Sequence, residues 1–388
     1  MVAGRSQYIC LSVIFLVMIV MVAPSQIVIA WREGNSPQIA DLFRQTPTMA
    51  NLRRLEDNLE DGCRLGLAVR PWVQYARFGL LEGAGANVIS GRDGWFFYRP
   101  AVRYLLEPWS LAGQQTPGNV FDAIISFRDE LAKRDIRLLV VPAPNKASIY
   151  PEMLARRAER MTSPVNAATR TIIARLKKAG VEVVDLFEIY GQRRQRGSSP
   201  VYYLSQDSHW SPEGMRLAAE AVAGRLLELG WIEKGAMKYE TTSVPASRYG
   251  DVLGMMRIPQ VEKMFEPQLM DCTQVANAES GRPYEDDPNS PVLVLGDSFL
   301  RIFEHDEPGS AGFVAHLAYN LGFGLTSIVS DGGASTLVRQ QLSRRPDLLK
   351  GKKVVVWEFV ERDLRFGTEG WQRVPLPKKV EGSSSGSE

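Results

Sequence analysis

The sequence contains few of the residues that cross-link chains or bind metals. Of its 388 residues, three are cysteine and three are histidine. Cys10 lies in an apolar run near the amino end, so only Cys63 and Cys272 are left, either as one disulfide or as two buried thiols. No cysteine and histidine spacing typical of zinc sites occurs, and we predict neither a metal nor a cofactor. A hydrophobic core must therefore stabilise the fold, and a chain of this length can form one.

A strong excess of charge of one sign is also missing. The chain has 46 lysines and arginines against 44 aspartates and glutamates, a formal net charge of +2. This balance gives no reason to expect a nucleic-acid partner. Basic residues do cluster locally, at Arg156-Arg157, Arg193-Arg194 and Arg344-Arg345. Most such clusters are solvated surfaces, and the other interpretation is a groove for an acidic polymer.

One long run is both uncharged and strongly apolar, residues 8–31, and it follows Arg5. It exceeds the roughly 20 residues that cross a bilayer. Two interpretations remain open. The run is either an uncleaved membrane anchor, or a signal peptide with its core at residues 9–23 and its cleavage site at residues 28–30. With either interpretation the rest of the chain is exported.

The rest of the chain divides into three parts. We expect residues 32–84 to be a membrane-proximal helical spacer, because they combine helix formers with charges. Residues 85–375 alternate buried strands with amphipathic helices, which predicts a parallel sheet covered on both faces. Within them, residues 240–290 show no clear period and are predicted to be a loop-rich excursion. Residues 376–388 have the composition of a disordered tail.

The histidines narrow the search for a catalytic base. His316 lies among apolar residues and is predicted to be structural. His305 follows Ser298 by seven residues, about 10 Å along a helix, which is too far to reach back easily. His209 remains, in the segment "QDSHWSPEG", where Asp207 is two residues earlier. The following Ser-Pro starts a helix that fixes this segment in place.

A serine lies where parallel sheets bind ligands. The segment "VLVLGDS" predicts a buried strand that ends at Ser298, and ligands of such sheets bind beyond the carboxyl ends of strands. A serine hydroxyl is a weak nucleophile without a base. We therefore predict a triad of Ser298 as nucleophile, His209 as general base and Asp207 as the acid that orients it. The backbone N–H groups of Phe299 and Leu300 are the predicted oxyanion donors.

Other side chains are candidates for substrate binding, and each has a plainer structural interpretation. Lys146 follows a strand end and could hold a carboxylate or the catalytic loop. Tyr203 and Trp210 could stack on sugar rings or belong to the core. Asp251 and Arg362 are expected to border the site.

Several segments together resemble a known family. "GDSF" is similar to the nucleophile block of SGNH hydrolases, but here the acid and base precede the serine. This order resembles the alginate O-acetyltransferases of the AlgJ/AlgX type. The resemblance extends to "GRDGWFFY", "VPAPNKASIYPE", "DSHWSPEG", "RYGDVLGMM" and "VVVWEFVERDL". The absence of a recognisable second domain makes the anchored AlgJ type the nearer match.

The resemblance implies a fold, an activity and a partner. The fold would be an SGNH hydrolase-like three-layer α/β/α domain, preceded by the membrane anchor. The activity would be acetyl transfer onto a secreted exopolysaccharide through an acetyl-serine. A membrane acyltransferase of the MBOAT type would supply the acetyl group. Two alternatives stay open: an acetyl esterase with the same triad, and a non-catalytic scaffold or glycan-binding subunit of an export complex.

Overall fold

A computed structural model shows how the alternating elements assemble. It describes residues 85–107, 119–161, 164–195, 201–367 and 369–377, together with scattered positions among the first 49. Among these residues no helix is both long and apolar enough to span a bilayer. The predicted anchor at residues 8–31 and spacer at 32–84 lie largely outside the described residues, as does the predicted tail. These assignments stay predictions.

The described domain opens with a hairpin. Strand β1 (Val88–Ser90) pairs antiparallel with β2 (Phe96–Tyr98). The turn between them has φ of 51° at Asp93 and 76° at Gly94. Two consecutive positive φ values are typical of the type I′ turn that Asp-Gly favours. Asp93-Gly94 between two apolar runs is the sequence signal of such a hairpin, and helix α1 (Arg99–Leu106) follows it directly.

A five-stranded parallel sheet forms the centre of the domain. Its strands are β3 (Arg137–Ala143), β4 (Glu182–Val183), β7 (Val292–Gly296), β8 (Thr326–Val329) and β9 (Val354–Val360). They lie in the order β4-β3-β9-β7-β8, and every neighbouring pair is parallel. All residues of β7 and β9 are buried. Uninterrupted burial is expected of strands covered on both faces, so the predicted α/β architecture is confirmed.

Helices connect these strands. The longer ones are α2 (Val120–Ala132), α5 (Ala167–Lys178), α6 (Leu186–Gln195), α7 (Pro212–Glu228), α11 (Phe313–Leu321) and α12 (Leu337–Arg344). Short helices lie at turns: α3 (Lys146–Ile149), α4 (Pro151–Leu154), α8 (Asp251–Gly254), α9 (Pro259–Glu262), α10 (Ser298–Arg301) and α13 (Asp363–Phe366), with 3-10 turns at Arg156–Arg160 and Pro346–Leu349.

The segment 240–290 differs from its prediction as a loop-rich excursion. Strands β5 (Tyr239–Arg248) and β6 (Gln268–Asn277) pair along ten residues each as an antiparallel ribbon. The β5 side chains are exposed or half-buried throughout. A strand with no buried face shows no apolar alternation, so its period could not be detected. Cys272 is a buried free thiol on β6, and Cys63 lies outside the described residues.

Candidate active site

Two segments that are far apart in sequence bring the candidate residues together. Ser298 follows β7 directly and starts α10, so it lies at the carboxyl edge of the sheet. His209 precedes α7, where Ser211 caps the helix by accepting from the Gly214 N–H at 3.2 Å. Pro212 is the first helical residue, as predicted. The cap and the proline fix the point at which the loop of His209 enters the helix.

The three predicted triad residues form a continuous chain of hydrogen bonds. His209 Nδ1 lies 2.6 Å from Asp207 Oδ1, and His209 Nε2 lies 2.8 Å from Ser298 Oγ. The tautomer with its proton on Nδ1 donates to Asp207 and leaves Nε2 to accept from the serine hydroxyl. Asp207 is fully buried and His209 is 5% exposed. This geometry can remove a proton from the serine while it attacks a carbonyl carbon.

His209 and Asp207 each stabilise the charged form of the other. Burial alone would lower the pKa of His209, but the charge and hydrogen bond of Asp207, together with the charge of Asp251, outweigh it and raise that pKa above its usual value. Burial opposes ionisation of Asp207 as well, yet His209 and Arg248 hold the pKa of this carboxyl well below its usual range. Asp207 is therefore ionised at neutral pH and stabilises the imidazolium that forms when His209 takes a proton.

Arg248 is a positioning residue that the sequence argument missed. Its Nε lies 3.2 Å from Asp207 Oδ2, an ion-pair distance. Its other end faces Asp306, with Nη1 3.5 Å from Oδ2. The Asp251 N–H also donates to Asp207 Oδ2, at 3.2 Å. The signal was available, because Arg248 begins the quoted segment "RYGDVLGMM" at the end of β5.

Asp251 supports the catalytic loop rather than standing free. Its two carboxylate oxygens accept from the Ser208 N–H and Oγ, both at 2.6 Å. Its Oδ2 lies 3.8 Å from His209 Nδ1. Burial, and then the charge of Asp207, raise the pKa of Asp251. At Gly250 a Cβ would lie 2.0 Å from the Gln206 carbonyl oxygen, so only glycine lets the end of the ribbon approach this loop.

Two carboxylates and one imidazole lie as close together here as the ligands of a metal ion would. Ligand atoms of Asp207, His209 and Asp251 lie within 4.8 Å of one another. The hydrogen bonds already described use His209 Nδ1 and Nε2 and both carboxylates. We therefore assign these atoms to the triad and its support.

Lys146 holds the catalytic loop, which is one of the two roles predicted for it. The ammonium donates to the carbonyls of Leu204 and Ser205 at 3.0 Å and to that of Asp207 at 2.6 Å. Burial lowers the pKa of Lys146 to about 7. The side chain is 3% exposed, so it positions the loop and is not available to substrate.

Tyr203 and Trp210 are core residues, which is the second of the two interpretations that the sequence left open for them. Both are fully buried. The Tyr203 hydroxyl donates to the Pro144 carbonyl. Trp210 stacks on Phe313 with ring centroids 5.7 Å apart and meets Phe299 edge-on at 5.0 Å. They pack behind the catalytic segment and hold it in place. The sequence alone could not separate this role from sugar stacking, because it does not reveal whether a side chain is exposed.

The predicted oxyanion donors Phe299 and Leu300 also need correction. The Phe299 N–H donates to Asp297 Oδ1 at 2.9 Å, and the Leu300 N–H donates to the Asp297 carbonyl at 3.0 Å. Both groups therefore cap their own turn. Asn145, by contrast, is 1% exposed, and both atoms of its side-chain amide lack a hydrogen-bond partner among the described residues.

A buried pair of carboxyls lies beneath the serine. Glu358, on β9, accepts from the Asp297 N–H at 3.2 Å. Burial raises the pKa of both carboxyls, and the charge of Asp297 raises that of Glu358 further. Both groups therefore favour the protonated form, which limits negative charge beside the nucleophile. A Cβ at Gly296 would lie 2.5 Å from Glu358 Oε2, so glycine is needed where β7 ends.

Arg362, His316 and His305 occupy three different environments. Arg362 is half-buried just beyond β9, with its guanidinium 5.1 Å from the centre of the Tyr98 ring. His316 is buried, and its Nε2 lies 2.9 Å from the Thr273 carbonyl oxygen. Burial lowers the pKa of His316 to about 4, as expected of a neutral structural residue. His305 lines a separate cavity.

Comparison with known proteins adds independent information. A family model described as an SGNH hydrolase-like domain, acetyltransferase AlgX, matches residues 88–361. The chain is 26% identical over 314 residues to a protein of Azotobacter vinelandii named probable alginate O-acetylase AlgJ, covering 78% of this chain and 75% of that one. It is 25% identical over 290 residues to the alginate biosynthesis protein AlgX of Pseudomonas aeruginosa, covering 71% of this chain and 56% of that one.

A solved structure shares the fold. The O-acetyltransferase domain of Pseudomonas putida AlgJ superposes with a TM-score of 0.58 at 24% identity, covering 73% of this chain and 93% of that one. Similarity at this level of identity supports the three-layer architecture and says nothing by itself about chemistry.

Proposed function

Because the chain belongs to the family of SGNH hydrolase-like acetyltransferase domains described by AlgX, we propose that it transfers acetyl groups onto hydroxyls of a secreted exopolysaccharide. Alginate is the first candidate, since relatives are named as alginate O-acetylases. The observation that carries the proposal is the chain of hydrogen bonds from Asp207 through His209 to Ser298, at 2.6 and 2.8 Å.

The first half-reaction forms an ester on Ser298. His209 Nε2 takes the hydroxyl proton while Ser298 Oγ attacks the carbonyl carbon of an acetyl donor. The donor's bond to the acetyl carbon then breaks, and His209 returns the proton to the leaving group. Asp207 keeps the imidazole in the productive tautomer throughout. The side-chain amide of Asn145, which has no partner among the described residues, is the proposed oxyanion donor in place of the N–H groups of Phe299 and Leu300.

In the second half-reaction a sugar hydroxyl, and not water, attacks the acetyl-serine. His209 removes the proton of a polysaccharide hydroxyl, whose oxygen attacks the acetyl-serine. The new sugar ester leaves, and the proton returns to Ser298 Oγ. A transferase requires that the bound sugar outcompete water at this step. Lys146, Arg248 and Asp251 act indirectly, by holding the loop that carries Asp207 and His209.

The proposed location is supported by the apolar run at residues 8–31, and the proposed partner by the resemblance to alginate O-acetyltransferases. We propose that the domain works on the periplasmic side of the inner membrane, held there by this segment or released after its cleavage. The acetyl donor would then come from a membrane acyltransferase of the MBOAT type.

One experiment separates this proposal from its alternatives. Full-length protein is incubated with an isotope-labelled acetyl donor and oligosaccharides, and mass spectrometry measures acetylated sugar and free acetate. We expect acetylated sugar with wild type and none with Ser298→Ala. Acetate alone, at saturating acceptor, would indicate an esterase instead. Absence of any acetyl turnover, with the sugar still bound, would indicate a scaffold.

A further inference from the structure

Five arginines form a basic surface beside the candidate site, and we name it the arginine strip. Three of them lie on the 3-10 turn Arg156–Arg160 that follows α4, and two come from the β1–β2 turn and the end of α6. The three on the 3-10 turn are exposed and make no ion pair with another described residue. The members are Arg92, Arg156, Arg157, Arg160 and Arg194.

The strip keeps an excess of positive charge after its local pairs are counted. Arg92 Nη1 lies 2.5 Å from Glu159 Oε1, and Arg194 Nη2 lies 2.6 Å from Glu152 Oε1. Five arginine charges less two glutamate charges leave three, whereas the whole chain has a formal net charge of only +2. Positive charge is therefore concentrated here, and the other surfaces balance it.

Backbone contacts connect the strip to the catalytic loop. The Arg92 N–H donates to the Met153 carbonyl and the Phe96 N–H donates to the Ser205 carbonyl, both at 2.8 Å. The Ser205 carbonyl also accepts from Lys146, which holds Asp207 through its carbonyl. The β1–β2 hairpin thus joins the 3-10 turn to the loop of Asp207 and His209.

The opposite flank of the site has the opposite charge. Four of the five arginines follow β3 or β4, at one side of the sheet, and a cavity of about 830 Å³ lies against β8 at the other side. Arg301 in this cavity is already paired with Asp331 at 3.0 Å. Burial raises the pKa of Glu304 there to about 8, so this carboxyl is mostly protonated at neutral pH and the negative charge comes from the other acidic residues. The carboxylic residues that line the cavity are Glu285, Asp286, Glu304 and Asp331.

We propose that the arginine strip binds the carboxylates of an acidic polysaccharide and leads the chain toward Ser298 from the β3 side. This inference rests on the proposed function and adds the surface that selects the acceptor. Guanidinium groups bind planar carboxylates through paired hydrogen bonds, which suits a polymer with one carboxylate on each sugar. The acidic cavity repels the same polymer, so the charges favour one direction of approach.

The test neutralises the strip without touching the triad. The variant Arg156→Gln/Arg157→Gln/Arg160→Gln is compared with Lys177→Gln/Lys178→Gln/Lys353→Gln, which removes three exposed cations at the amino edge of the sheet. Binding of polymannuronate oligomers and of neutral dextran oligomers is measured at several salt concentrations. We expect the strip variant to bind polymannuronate about tenfold more weakly, the loss typical of three exposed ion pairs, with a shallower salt dependence.

The outcomes separate this inference from the proposed function. Both variants should hydrolyse p-nitrophenyl acetate at the wild-type rate, because the triad is intact. Polymannuronate binding that is unchanged in the strip variant, or equally reduced in the amino-edge control, would overturn the role of the strip. Wild-type protein that binds polymannuronate through the strip but never acetylates it would instead refute the transferase assignment and leave the binding surface standing.

Discussion

Replacing Asp207 by asparagine tests the network most severely, because both carboxylate oxygens are used by donors. Oδ1 accepts from His209 Nδ1 at 2.6 Å and from the His209 N–H at 3.0 Å. Oδ2 accepts from the Asp251 N–H at 3.2 Å and faces Arg248 Nε at 3.2 Å. An amide offers one oxygen and one NH₂ group, so in either orientation its NH₂ group meets donors.

The two orientations of the asparagine amide have different consequences for the site. With its NH₂ group toward His209, the asparagine forces Nδ1 to accept, so the proton moves to Nε2 and the imidazole can no longer take one from Ser298. With its NH₂ group toward Arg248, the variant leaves buried donors without acceptors, which costs about 1–3 kcal/mol of stability. Loss of the productive tautomer lowers kcat by about 10³- to 10⁴-fold in triads of this kind.

The assay is p-nitrophenyl acetate turnover, with thermal unfolding measured on the same samples. Asp286→Asn is a control for removal of a carboxylate, because the exposed Asp286 accepts from the Ser327 N–H and Oγ through one oxygen, at 2.6 and 2.7 Å, outside the triad. We expect the control to keep its kcat. A folded Asp207→Asn variant with kcat within tenfold of wild type would refute the proposed role of Asp207.

Three further predictions follow from the same structure. The kcat/KM of wild type should rise with pH and reach half its maximum above pH 6.5, since a neutral His209 is needed and Asp207 raises its pKa; a midpoint below pH 6 would contradict this. Arg248→Met should lower kcat about ten- to hundredfold, because the buried Asp207 carboxylate loses its ion-pair partner, and Arg248→Lys should recover part of the activity; equal rates for both variants and wild type would contradict a positioning role for Arg248. Burial raises the pKa of Glu361 to about 7 from 4.5, so the folded state favours the protonated form. Stability of wild type relative to Glu361→Gln should therefore fall as pH rises from about 4.5 to about 7, by up to roughly 3 kcal/mol, and parallel unfolding curves would contradict this.

Periodicity and strand ends predicted most of the sheet and the spatial meeting of the triad. Buried strands such as Val354–Val360 have continuous apolar runs, and their order along the chain requires crossover helices. The pair Asp207 and His209 stood out because only three histidines exist and one lies beside a helix start. These signals depend on local sequence, so they could be detected without coordinates.

Properties that depend on burial or on distant partners could not be predicted. The β5 strand is polar on both faces, so it had no pattern to detect. Trp210 has the residue type expected of a sugar platform, and only its burial against Phe313 excludes that role. The N–H of Phe299 is occupied because Asp297 turns back to accept it, a contact that depends on the conformation of the turn.

The most direct test of the central claim is to locate the acetyl group on the protein. Full-length wild type is mixed with an acetyl donor, quenched with acid and digested, and each peptide is examined by mass spectrometry. We predict one acetyl group on Ser298 in wild type, and none on the corresponding peptide of Ser298→Ala or His209→Ala. An acetyl group on a different residue, or turnover that persists in Ser298→Ala without an ester at position 298, would contradict it.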